Sequence, residues 1–375
     1  MFFGAVSESI FNFRPSKFYY YFIVVWIILV AGFRYCVGPD WPGYYNGYNT
    51  AKGYIGNMSE LSRNLNFEIG YVYLNWIIAK TGFQIWIFNL LFAGTSILLK
   101  SSSIIKYSKF YFLGLLMYYL PNYFFEDIIQ IRQGFASAIG IFSVRYIIDK
   151  KLWKFLLCIF LAYQIHHSAA IFVAAYWIGN SKIDYTYIVI VVVATIILSP
   201  LDLSKGIRPI IDFLPLSGLK DGYNSYIETG YVSNLEYSFA DVVKISFFVL
   251  TIFYNKICET YSTDNSYKVI RNLFVFSVFL YYFFHSQSIF AVRLSNYYTV
   301  YFYLLIPLVL YYVHIYDNKI FIILFLIFVI YFILFYFRFQ NLNGSLFLDY
   351  TNYIYNKVNT LGGYIDIYDN QNPFK

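Results

Sequence analysis

The sequence predicts an all-α, polytopic integral membrane protein, and three observations carry that prediction. Of its 375 residues, 59% are hydrophobic and only 13% are charged, where a soluble domain carries about 25% charged residues. Apolar runs recur from 18 to 337, with no hydrophilic interval long enough to fold alone. The stretch from Asn272 to Val313 holds one charge, Arg293. At about 1.5 Å per helical residue it is roughly twice as long as a bilayer is thick, so it must turn, and the polar HSQS at His285 to Ser288 marks where.

A helix crosses the hydrocarbon with roughly 20 mostly apolar residues, fewer when its flanks snorkel. On that criterion about eleven spans fall near 18–33, 83–99, 110–125, 131–148, 154–167, 168–181, 185–199, 241–257, 272–290, 292–313 and 320–337. The first is a retained span rather than a cleaved signal, since acid precedes Arg14 and Lys17 and no small-residue cleavage site follows. Segment 67–79 is helical in pattern but short, and basic residues decide its place. Lys100, Lys106 and Lys109 in one loop, and Lys150, Lys151 and Lys154 in another, both belong to the cytoplasm only if 67–79 lies on the outer face as an amphipathic helix.

With that choice the cytoplasmic side holds 14 of the 27 basic and 6 of the 20 acidic residues. Topology thus accounts for the net charge of +7, and no nucleic-acid partner is needed. Residues 1–337 form a single membrane domain with outer loops 34–82 and 200–240, followed by an outer tail, 338–375. Cys36, Cys158 and Cys258 have no CxxC or Cys/His spacing, so neither a disulfide framework nor a metal site is expected.

Ionisable groups in or beside apolar spans are costly and usually functional. Asp40 stands in GPDWPG, where prolines and glycines predict a stiff loop. It fits either a surface turn bonding its own backbone or a carboxylate held for chemistry. Glu68 opens the short outer helix, as a first-turn acid on the helix dipole or as a site residue. Arg132 heads a face of small residues, Gly134, Ala136, Ala138 and Gly140, of the kind membrane helices pack against; it would pair with Asp127 or face a ligand. Arg293 has no acid within fifteen residues of sequence, and a guanidinium cannot shed its proton to ease burial, which points to an anionic ligand. His166 and His167 stand between two short spans as a base, a substrate contact or a polar helix end. Arginine forks suit a diphosphate; Trp41, Tyr44 and Tyr297 suit sugars, each with a flat apolar face and a polar tip. An anionic, lipid-borne sugar is the ligand class that needs both.

Five stretches, RYCVGPDWPGYYNGY, FEIGYVYLNWII, IRQGFASAIG, HHSAAIF and AVRLSNYY, resemble in order and spacing the EpsG-like branch of the Wzy family of bacterial O-antigen and exopolysaccharide polymerases. The resemblance covers about 18 to 310. It implies a GT-C-like membrane glycosyltransferase of the inner membrane, working at the periplasmic face without cofactor or metal. Its substrate would be an undecaprenyl-diphosphate-linked oligosaccharide, whose glycan passes as a block to the non-reducing end of the next lipid-linked repeat unit. Membrane lipid and a chain-length regulator would be its partners. Carried onto this chain, Arg132 and Arg293 would hold the diphosphate. Asp40 would be the first choice of base and His167 the second, with Arg34, Trp41, Tyr44, Glu68, Gln133, His166, Asn296 and Tyr297 as substrate contacts. A flippase for the same lipid and an O-antigen ligase are the alternatives. A flippase predicts internal repeats and charges near the midplane, and the sequence has no repeat. A ligase predicts a large outer loop with arginine and histidine, and 200–240 has Arg208 but no histidine.

Overall fold

The computed structural model describes residues 1–11, 15–201, 203, 237–348 and 351–352. The expectations placed on Arg14, on Arg208 and most of loop 200–240, and on the tail beyond 352 lie outside them.

The described chain is all-helical apart from a two-residue antiparallel pairing of Arg34–Tyr35 with Thr351–Asn352. In order the helices are α1 Phe2–Ser9, α2 Lys17–Gly32, α3 Trp41–Gly53, α4 Met58–Leu65, α5 Ile69–Lys80, α6 Ile85–Tyr107 and α7 Tyr111–Tyr118. A π-helical segment, Tyr119–Ile129, leads into α8 Ile131–Ile148 and α9 Leu152–Ile165. A 3-10 stretch, His167–Ala174, runs into α10 Ala175–Gly179 and then α11 Tyr185–Leu198. Beyond the loop come α12 Phe239–Tyr261, α13 Ser266–Phe283, α14 Ser288–Thr299, α15 Phe302–Tyr316 and α16 Asn318–Leu348.

Each expected span has a helix over it, and the caps explain several boundaries. Ser16 accepts from the Phe18 amide to start α2, and Ser238 with Asp241 forms a capping box at α12. Span 110–125 is interrupted: Leu120 is extended at φ −123°, ψ 120°, as the residue before a proline tends to be, and the π-helical turns follow. Span 292–313 is broken into α14 and α15, bent by 47°. One described helix, α6, is long and apolar enough to cross a bilayer by itself, and the bent α14–α15 pair would make a second. Others are apolar but shorter, among them α2, α9 and α11.

Two expectations are corrected. GPDWPG is a loop only in its first half: Gly38–Asp40 form a tight turn, with Gly38 at φ 85°, whereas Asp40 is the N-cap of α3 and Pro42 sits in its first turn, where a missing N–H costs nothing. Lys100 is not a loop residue. It lies inside α6, fully buried, in ion pairs with Glu126 and Asp127 at 2.7 Å each, so the cytoplasmic basic set loses one member.

A large apolar core holds several buried polar groups, and many large apolar side chains are exposed as well. Lys100, Glu126, Asp127, Asn89, Asn272 and Arg271 are buried, while Phe18, Trp26, Trp153, Phe253 and Ile327 are exposed.

Candidate active site

Four of the predicted residues come together where α5, α8 and α9 meet. Gly70 makes the approach possible: a Cβ there would stand 2.6 Å from the Gln164 carbonyl oxygen, so α5 lies directly on the end of α9. Glu68, just ahead of α5, is thereby brought to His166, whose Nδ1 is 2.7 Å from Glu68 Oε1. The same oxygen accepts from the His167 backbone amide at 3.2 Å. Glu68 Oε2 pairs with Arg132 Nη1. Burial raises the Glu68 pKa, but the bond from His166 and the Arg132 charge outweigh it and hold the carboxyl down at about 2. Arg132 therefore does not pair with Asp127; its guanidinium lies over the Phe67 ring, 4.4 Å from the centroid, a cation–π contact.

Asp40 completes the group from α3. It stands exposed in the turn ahead of α3, as one expectation had it, but its side chain makes no cap bond to its own backbone, and Tyr44 Oη approaches its Oδ2 at 3.5 Å. The carboxyl is solvent-accessible, yet crowding by the protein raises its pKa against the pull of Arg132, Arg293 and Tyr44. The fields of both arginines thus reach Asp40. Burial likewise pushes the Tyr44 phenol up to about 12.

Arg293 enters on α14, whose position is tied to α8 by the Gln133 side-chain amide donating to the Arg293 carbonyl at 3.0 Å. Asn296, one turn on, donates to Glu126 at 3.1 Å, and Tyr297 is fully buried with its hydroxyl 2.9 Å from that of Ser168.

Three of the expected residues have other side-chain partners. Arg34 is 1% exposed and donates to the carbonyls of Ala31 and Asp127. Trp41 is buried and stacks on Tyr45 at 4.9 Å. His167, favoured over His166 from sequence, is exposed and packs against Tyr163 at 4.8 Å. The histidine tied to the carboxylate is His166. Sequence reading missed Lys100, Glu126 and Ser137 as neighbours of the site. The lysine was findable, because a charge in the run ILLKSSSII satisfies the rule for intramembrane ionisable residues.

A model of the EpsG family matches residues 17–352, a range that holds every residue just described. The chain belongs to the EpsG family. It is a membrane-associated family of the polysaccharide-polymerase kind. The EpsG match runs from α2 to the second strand of the Arg34–Tyr35 pairing and contains the five motifs that suggested it. No curated protein and no solved structure matches the chain.

Proposed function

We propose that this EpsG-family protein is a metal-independent O-antigen or surface polysaccharide polymerase of the bacterial inner membrane, with its site facing the periplasm. It transfers a glycan from undecaprenyl diphosphate to the non-reducing end of a lipid-linked repeat unit. The observation that carries the reading is the joining, in one cluster, of Arg132, Glu68 and His166, with Asp40 in the field of Arg132 and Arg293. Guanidinium forks suit a diphosphate leaving group, and a carboxylate-held imidazole suits a base.

The many large apolar side chains on the exterior support a polytopic domain over 1–337, read as about eleven spans in a GT-C-like architecture. Soluble monomers rarely expose so many large apolar groups. In lipid the same surface is the solvated one.

In this mechanism an acceptor sugar hydroxyl attacks the anomeric carbon of the donor, and the bond from that carbon to the diphosphate oxygen breaks. The electron pair departs on the diphosphate, where Arg132 and Arg293 stabilise the growing charge. The hydroxyl proton passes to His166 Nε2, because Nδ1 is engaged by Glu68, which fixes ring orientation and tautomer. His166 thus takes the role first given to Asp40 and second to His167. Asp40, accessible and only loosely held, orients the acceptor sugar.

The test is glycan size on gels from a deletion strain carrying each variant. Arg132→Ala and Arg293→Ala should leave single lipid-linked repeat units, with a loss of about two to three powers of ten in rate. His166→Ala should behave alike, whereas His167→Ala keeps a full ladder. A normal ladder from both arginine variants would overturn the site.

A further inference from the structure

We infer that Glu126 is a positioning residue that locks the helix carrying Arg293 to the helix carrying Arg132. The inference rests on the polymerase reading and adds to it a residue that touches neither substrate nor reacting atoms.

Glu126 sits on the π-helical segment, 2% exposed. Its Oε1 accepts from Asn122 at 3.0 Å and from Asn296 at 3.1 Å. Its Oε2 accepts from Lys100 at 2.7 Å and from Ser137 at 3.1 Å. Both oxygens are therefore saturated, which leaves no capacity for a substrate hydroxyl. The donors come from four separate stretches. Asn296 is on α14 one turn past Arg293, Ser137 is on α8 four residues past Gln133, and Lys100 is on α6. The Gln133 bond to the Arg293 carbonyl closes the circuit, so α14 is held to α8 at the arginine itself and, one turn on, to the π-helical segment through Asn296, with Glu126 linking that segment to α8 through Ser137.

The backbone takes part as well. A Cβ on residue 134 would lie 2.0 Å from the Glu126 carbonyl oxygen, so the π-helical segment is seated on α8 next to Arg132. Apolar packing alone leaves a helix able to slide or rotate, whereas hydrogen bonds to a buried charge are directional and costly to break. π-Helical turns are also frequent near functional sites. Asn296 on this account is a structural tie rather than a substrate contact.

A donor–acceptor exchange tests the tie. Glu126→Gln removes the charge to which Asn296 and Lys100 donate, and its amide donor must meet either the Lys100 ammonium or Asn amides that have to turn over to accept it. Asn296→Asp sets two carboxylates face to face. The double variant E126Q/N296D restores one donor and one acceptor with the roles exchanged, at unchanged net charge. Chain formation is measured from the strain's own lipid-linked repeat unit, at equal amounts of protein eluting as a single species in detergent. Each single variant should fall about tenfold or more, the worth of a hydrogen bond to a buried charge. The double should return to within about threefold of the parent, since coupled residues are non-additive. A double no better than its singles, or either single at parental activity, overturns the tie. If a single variant does not accumulate, Asn296→Ala takes its place, removing the donor without adding charge; the same loss is expected, and a normal ladder counts against the inference. Arg293→Ala in the same strain separates the two ideas. Normal chains from it, and from Arg132→Ala as well, sink the polymerase site, while their loss together with an unrescued double sinks only the positioning role.

Discussion

At the residue scale, Glu68 concentrates the electrostatics of the site. Its carboxyl is held at about 2 in the folded chain against an ordinary 4.5, so the ionised form is stabilised by folding. That contribution is fully present above pH 4.5 and is lost as pH falls from there towards 2. Between pH 6 and pH 3 it amounts to about 2 kcal/mol. Thermal unfolding in detergent at the two pH values should show that loss in the parent and a flatter response in Glu68→Gln; equal slopes would mean the carboxylate is not held by His166 and Arg132. The sequence marked Glu68, His166 and Arg132 as isolated oddities because their spacings, 68, 132 and 166, carry no local pattern. Only three-dimensional closure reveals that one carboxylate serves both partners. For the same reason His167 looked as good as His166: a backbone turn at the end of α9, and nothing in the side chains, decides which imidazole faces inward.

At the scale of elements, hydrophobic runs and polar breaks made most of the bundle legible. HSQS does separate α13 from α14, and the short 67–79 pattern is α5. What failed were places where a polar group is satisfied by a distant element. Lys100 reads as a loop cation because the sequence does not display its buried acids, which stand 26 and 27 residues away on the π-helical segment. GPDWPG reads as a loop because proline and glycine punctuate it; it is a turn as far as Asp40, and proline is at home in the first helical turn that follows. The close seat of α5 on α9 makes its own prediction. Gly70→Ala forces Cβ against the Gln164 carbonyl, a backbone atom that cannot swing aside, and so draws Glu68 off His166. Polymerisation should drop by about tenfold or more, since misplacing a catalytic group by about 1 Å costs up to a hundredfold, while Gly53→Ala, with open space around it, stays at parental activity. Equal ladders from the two variants would remove the argument that α5 positions the pair.

At the scale of the whole molecule, the reading depends on which side of the membrane the cluster faces. A lipid-diphosphate donor is bulky and anionic, so the proposed polymerase must meet it on the face where its arginines lie. The proposed orientation rests on the basic residues left after Lys100 is taken out of the count: with Lys106, Lys109, Lys150, Lys151 and Lys154, the positive-inside rule still favours placing these loops in the cytoplasm. It also depends on α5 staying on the outer face. Its 12 residues extend about 18 Å against the roughly 30 Å of hydrocarbon, and the proposal keeps its two ends on the same side. In a chain with the three native cysteines replaced, Asn57→Cys and Thr81→Cys should both react with a membrane-impermeant maleimide in intact spheroplasts. Lys150→Cys and Lys182→Cys should react only after permeabilisation. All four positions are exposed, so a missing signal reflects sidedness rather than burial. Labelling of 57 and 81 from opposite sides would make α5 a span and reverse every helix before it. Labelling of 150 and 182 in intact spheroplasts would turn the arginine cluster to the cytoplasm, where the proposed transfer could not occur.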